Sequence, residues 1–252
     1  MEGWPIDGHP CLTVKKGHPM LSGPKPEWLT FDCYGTLIQW DEGLLAAVDA
    51  ILANHPGSNV EPRTLIRVYD KYEHALEAER PHKSFRSVAG EGLRLAMQEL
   101  KLACSPDDVE VLTGTISRMP PFPEVVSALG LLKAQGFKLC IISNTDDDII
   151  AGNVVQLDGH IDRVITAQQA GAYKPAQRIF DFAHNALGVG RGDIVHICAS
   201  PHLDLAAARD LGFRCIWIDR GTARKPLPDY APNAVFPTLD RVPPFLASTI
   251  WD

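Results

Sequence analysis

The sequence predicts an α/β fold, a doubly wound parallel sheet carrying an inserted helical domain, and three observations predict it. Short, continuous apolar runs alternate with helix-period segments through the second half of the chain. A long block of helical periodicity without a strand pattern separates the first such run from the rest. The runs end in polar residues, at the place where open α/β sheets gather their ligands.

Residues 1–27 carry Pro5, Pro10, Pro19, Pro24 and Pro26, which deny them a regular helix or central strand. They read as a tail, with Met20 as an alternative start and no apolar segment followed by a small-residue cleavage site. Trp28–Phe31 reads as a buried strand running into Asp32-Cys33-Tyr34-Gly35-Thr36-Leu37, where Gly35 permits a tight turn. From Asp41 to Arg118, Leu44, Leu45, Val48 and Ile51, then Leu65, Val68, Tyr69, Tyr72 and Leu76, then Leu93, Leu95, Met97 and Leu100 recur at helical spacing. The expected division is therefore one α/β domain from 28–40 and 119–252, with 41–118 inserted as a helical domain.

Beyond Pro120-Pro121-Phe122-Pro123 the alternation returns. A helix at Glu124–Gln135 leads through Gly136 to a strand at Lys138–Ile142, and a helix follows from about Asp147. A strand at Arg163–Ile165, a helix at Ala176–Leu187 and a strand at Ile194–Cys198 come next. A helix at Leu203–Leu211 and a strand at Arg214–Ile218 complete the pattern. Continuous apolar strands of this kind belong to parallel sheets covered on both faces.

Composition narrows the function. Of 252 residues, 24 are Lys or Arg and 31 Asp or Glu, a net charge of −7, which argues against a nucleic-acid partner. The longest apolar runs, such as Leu139–Ile142, fall far short of the roughly 20 residues needed to cross a bilayer. The six cysteines stand singly, without a C-x-x-C pair, so reduced thiols and a cytoplasmic setting are expected.

Four strand ends offer groups that could converge: Asp32 and Thr36; Ser143, Asn144 and Asp146; Lys174 before Pro175; and Ser200 with Asp204. A carboxylate in a dry, positively charged pocket can act as a nucleophile, and Asp32 is the candidate. Lys174 would keep it ionised and offset the negative charge gathered there. Thr36 and Ser143 can donate hydrogen bonds, and Asp204 can orient Lys174 or help activate water. His196 and His202 flank the last strand end without a carboxylate at metal spacing, and Asp146-Asp147-Asp148 suits the start of a helix, so no metal site is expected.

Taken in order, Asp-x-Tyr-Gly-Thr-Leu, Ser-Asn after a strand, Lys-Pro before a helix and Ser-x-x-x-Asp after a strand resemble the haloacid dehalogenase superfamily from about Trp28 to Arg220. The resemblance implies a Rossmann-like core with the helical insertion as its cap. Phosphatases of that superfamily resemble Asp-x-Asp and carry a further acid four residues before the last one. Tyr34 and Ser200 stand at those positions here, so the general acid and a Mg²⁺ ligand are missing.

The pattern with Tyr34 and Tyr173-Lys174-Pro175 is similar to the L-2-haloacid dehalogenase branch. That likeness implies a cofactor-free and metal-free hydrolase in which Asp32 displaces halide from C2 of a short 2-haloacid. Backbone amides near Cys33 and Tyr34, with Ser143 and Asn144, would hold the substrate carboxylate. Arg67 is the expected gripping arginine, with Arg63 and Arg86 behind it, and Ser200 and His202 would line the pocket. A homodimer is implied as well. The pattern departs from that branch at Pro201, where an asparagine cradles halide, and at Phe180, where a tyrosine stands. Ring opening of azetidine-2-carboxylate, phosphatase activity and a non-catalytic binding protein are the alternative readings.

Overall fold

Short β-branched runs with no polar side can form strands only where both faces are covered, and the chain supplies that cover on each side. The computed structural model describes residues 21–222 and 224–252, so expectations for residues 1–20, Cys11 among them, lie outside the described residues. The strands are β1 (Trp28–Phe31), β2 (Lys138–Ser143), β3 (Arg163–Thr166), β4 (Ile194–Cys198), β5 (Arg214–Ile218) and β6 (Ala234–Phe236). They form one parallel sheet in the order β3-β2-β1-β4-β5-β6. In β1, Thr30 lies between Cys140 of β2 and His196 of β4. Because the chain winds outward in both directions from β1, the loops leaving β1 and β4 diverge and open a crevice at their carboxyl ends.

Between β1 and β2 come α1 (Trp40–Ala53), α2 (Pro62–Ala78), α3 (Phe85–Glu99) and α4 (Pro106–Ile116). Their ends follow from local chemistry: the Ser84 side chain accepts from the Ser87 N–H, and Ser105 forms a capping box with Asp108 behind Pro106. Apolar residues at helical spacing, including Leu44, Ile51, Leu65, Leu93 and Met97, are buried among the four helices. The remaining helices are α5 (Val125–Ala134), α6 (Asp147–Val154), α7 (Ala167–Ala170), α8 (Gln177–Leu187), α9 (Ala206–Leu211) and α10 (Val242–Ser248).

Several elements differ from expectation. The single helix anticipated at Leu203–Leu211 is a π-helical turn at Pro201–Leu205 followed by the shorter α9. Gly212 caps it in the left-handed conformation. The turn α7, the edge strand β6 and α10, with Pro243 and Pro244 in its first turn, were not anticipated at all.

Aspartates join the four inserted helices to the sheet. Asp146, just past β2, accepts the backbone N–H groups of Phe85 and Arg86 at 2.9 Å each, capping α3 from outside its own segment. Arg86 also pairs with Asp148 at 2.7 Å, and the Tyr173 hydroxyl donates to the Lys83 carbonyl. At Gly152 a β-carbon would meet the Ser117 carbonyl oxygen at 2.3 Å, so the approach of α6 to the end of α4 requires glycine there.

Candidate active site

β1 delivers Asp32 to the sheet's carboxyl edge, and the next six residues fold back tightly on it. The Cys33 carbonyl accepts from the Leu37 and Ile38 N–H groups, and Gly35 takes φ +83°, a conformation open to glycine. The turn aims the Thr36 hydroxyl back at Asp32 Oδ2, to which it donates at 2.6 Å. That same Thr36 oxygen accepts from the Ala199 N–H at the end of β4, so one side chain fixes the nucleophile loop to two strand ends.

Lys174 reaches in from the loop after α7. Its Nζ donates to Asp32 Oδ1 at 2.7 Å and to Asp204 Oδ1 at 2.8 Å, with the ammonium fully buried. Burial opposes a charged amine, but Asp204 and Asp32 outweigh it and raise the Lys174 pKa. Burial likewise opposes the Asp204 carboxylate, and the Lys174 ammonium together with His196 holds it below the usual range.

His196 is a member that sequence reasoning missed. Its Nε2 lies 3.0 Å from Asp204 Oδ1 and its Nδ1 2.8 Å from Thr30 Oγ1, entirely buried. The absence of a carboxylate at metal spacing misled, because the partner stands eight residues on and returns through the π-helical turn. The available signal was a lone polar residue inside the otherwise apolar strand Ile194–Cys198. His196, Cys198 and Asp204 bring potential ligand atoms within 4.8 Å of one another. However, His196 and the Lys174 ammonium already occupy the same Asp204 oxygen, so a metal ion would have to compete with a resident cation.

Above Asp32 opens a cavity of about 1390 Å³. Tyr34, Ser143, Asn144, Ser200 and His202 line it from the sheet side, and Arg63 and Arg67 from α2. Thr36 and Asp204 are fully buried behind it. Ser143 Oγ is buried and has no hydrogen-bond partner among the described residues.

The Cys33 thiol is buried in the core, where burial pushes its pKa well up, which leaves only its backbone amide for the role expected of it. Other expectations need correction. Arg86 is spent on Asp148 and Thr113 rather than on the cavity. The Asn144 amide is also committed: Oδ1 accepts the Lys174 N–H at 2.7 Å, and Nδ2 donates to the Lys174 carbonyl and to Glu77. Asn144 thus holds the lysine loop in place. The Tyr34 hydroxyl is engaged by Asn153 and its ring packs on Trp40, which leaves its backbone amide for the role expected of it. Phe180 packs on the rings of His196 and Phe213 in the core. Arg220 was not anticipated: it lines the cavity, pairs with Glu124 at 2.7 Å and donates to the Thr36 carbonyl.

A family model for haloacid dehalogenase-like hydrolases matches residues 27–212, nearly three quarters of the chain. The chain belongs to the haloacid dehalogenase-like hydrolases. Among curated members, haloacetate dehalogenase H-2 from Moraxella sp. (strain B) is 29% identical over 224 residues, covering 86% of this chain and 96% of that protein. An (S)-2-haloacid dehalogenase from Pseudomonas sp. (strain YL) is also 29% identical, over 76% of this chain and 82% of its own. The fold is shared with the L-2-haloacid dehalogenase from Xanthobacter autotrophicus solved with chloropropionic acid covalently bound. That structure has a TM-score of 0.78 at 19% identity, covering 89% of this chain and all of the other.

Proposed function

We propose that this hydrolase converts short 2-haloacids to 2-hydroxy acids through an ester on Asp32. The observation that carries the reading is the single ammonium of Lys174 shared between Asp32 and Asp204, at 2.7 and 2.8 Å. A carboxylate so held is oriented and electrostatically balanced without a divalent ion, which suits attack at carbon. The curated relatives named for haloacetate and (S)-2-haloacid dehalogenation support the substrate class.

In the first step an Asp32 oxygen forms a bond to C2 while the carbon–halogen bond breaks, its electron pair leaving with the halide and inverting C2. Water then adds to the Asp32 carboxyl carbon. Cleavage of the acyl–oxygen bond frees the 2-hydroxy acid, whose departing alkoxide oxygen takes up the proton the water gave up, and Asp32 returns to its carboxylate as the second proton leaves to solvent. Lys174 neutralises the oxygens through both steps. Asp204, whose Oδ2 is buried without a hydrogen-bond partner among the described residues, is the acceptor for a proton from that water. Ser143 and the amides after Asp32 hold the substrate carboxylate, and Arg67 guards the mouth. The four helices α1–α4 act as the cap. The same reading takes the enzyme to work as a homodimer in a reducing cytoplasm.

Single-turnover hydrolysis of 2-chloropropionate in heavy-oxygen water tests this. The first product should carry unlabelled oxygen, with label entering Asp32, and Asp32→Asn should abolish halide release while leaving the circular dichroism spectrum unchanged. Label found directly in the first product would refute the ester route.

A further inference from the structure

The α2 face that looks into the cavity changes charge along its length. Arg63 and Arg67 stand at the exposed N-terminal end; Asp70, Glu73, His74 and Glu77 follow toward Asn144 and Lys174. Glu73 and Glu77 are more than nine-tenths buried, yet both line the cavity. Their only hydrogen bonds among the described residues come from neutral donors, Tyr69 to Glu73 at 2.8 Å and Asn144 to Glu77 at 3.3 Å. No Lys, Arg or His forms an ion pair with either among the described residues, because the nearby Lys174 is committed to Asp32 and Asp204. Ser143 Oγ, 1% exposed and without a partner, lines the same space.

Two buried acids that line the cavity without a cationic partner among the described residues are left idle if the substrate is a plain haloacid, whose one charged group is negative. They fit a substrate with a second, positive pole, and cavities are built with a few convergent polar groups that fix orientation. We propose that Glu73 and Glu77 form a subsite for an ammonium group, so that the preferred substrate is a zwitterion: a 2-haloacid bearing an amino group on its chain. This rests on the dehalogenase reading and sharpens it. The carboxylate then lies toward the donors at Ser143 and the Asp32 loop, and the ammonium toward α2. Burial pushes the Glu73 carboxyl up to about 7 and raises Glu77 as well, so a bound ammonium would draw both acids toward their charged form.

Two isosteric pairs test the proposal at pH 7.5. The substrates are 3-amino-2-chloropropanoate and 2-chlorobutanoate, with chloride release as the readout. The product-like ligands are 3-amino-2-hydroxypropanoate and 2-hydroxybutanoate, with binding followed by calorimetry. The wild-type protein should favour the amino substrate at least tenfold in kcat/KM, and Glu73→Gln and Glu77→Gln should each cut that preference at least threefold. Equal or better turnover of 2-chlorobutanoate overturns the subsite while leaving dehalogenation standing. A preference that both variants keep overturns its assignment to these two residues. If neither substrate releases chloride, the dehalogenase reading fails and the ligands decide. At least tenfold tighter binding of the amino ligand, lost in the variants, upholds the subsite, and equal binding overturns it.

Discussion

One buried ammonium faces two carboxylates at the centre of this site, and His196 is what divides them. Its Nε2 faces Asp204 Oδ1 and its Nδ1 faces the Thr30 hydroxyl, so the imidazole meets both of its buried neighbours and, with Nε2–H donating, takes up part of the Asp204 charge. Without that donor, Asp204 would draw more heavily on Lys174 and pull it away from Asp32. His196→Leu should therefore lower kcat by about 10- to 100-fold, the worth of one hydrogen bond to a charged group, and leave KM nearly unchanged. Steady-state chloride release at several substrate concentrations checks the split. A rise in KM at constant kcat would place His196 outside this chain of contacts. Asp32, Thr36 and Asp204 were legible because each follows a strand closely, and Lys174 because it stands beside Pro175 ahead of a helix. His196 was hidden because strand periodicity says which face a residue lies on, and not which loop residue will return to meet it.

Among the elements, the central strands could be read because a run such as Lys138–Ser143 is buried on both faces and has few alternatives. The edge strand β6 has only three residues, and α10 opens on two prolines that look like a breaker, so neither gave a periodic signal. Helix α2 shows the converse. Its apolar positions Leu65, Val68, Tyr69, Tyr72 and Leu76 announced a helix, while nothing in that spacing marked the acids Glu73 and Glu77. In the fold both are buried against the cavity.

This burial carries a stability cost with a definite pH window. The Glu73 carboxyl rises from an ordinary 4.5 to about 7, chiefly by desolvation, so the folded chain holds that proton more tightly than the unfolded one. Its contribution to stability is complete below about 4.5 and is lost as pH climbs to about 7. Glu73→Gln, which keeps an acceptor for Tyr69, should raise Tm by a few degrees at pH 8 and change it little at pH 4.5. Thermal unfolding of both proteins across that range checks this; an equal gain at both pH values would show that the carboxylate charge is not its source.

The assembled chain joins two bodies of different origin in the sequence: helices that pack mostly on one another, and a sheet whose strand ends carry the nucleophile. Each supplies one wall of the cavity, so binding depends on how they are fastened. Asp146 is a buried fastener of this kind, because it lies just past β2 and caps the first two free N–H groups of α3. Asp148, two residues on, makes a more exposed pair with Arg86, of the kind that contributes about 0–1 kcal/mol. Asp146→Ala should cost about 1–2 kcal/mol, as loss of a helix cap does, and should raise KM by letting the α2 wall drift from Asp32. Asp148→Ala should alter stability by no more than about 0.5 kcal/mol and leave KM alone. Urea unfolding and steady-state kinetics on the two variants decide the matter. Equal effects would mean that net charge between the two bodies, rather than the directed cap, holds the cavity closed.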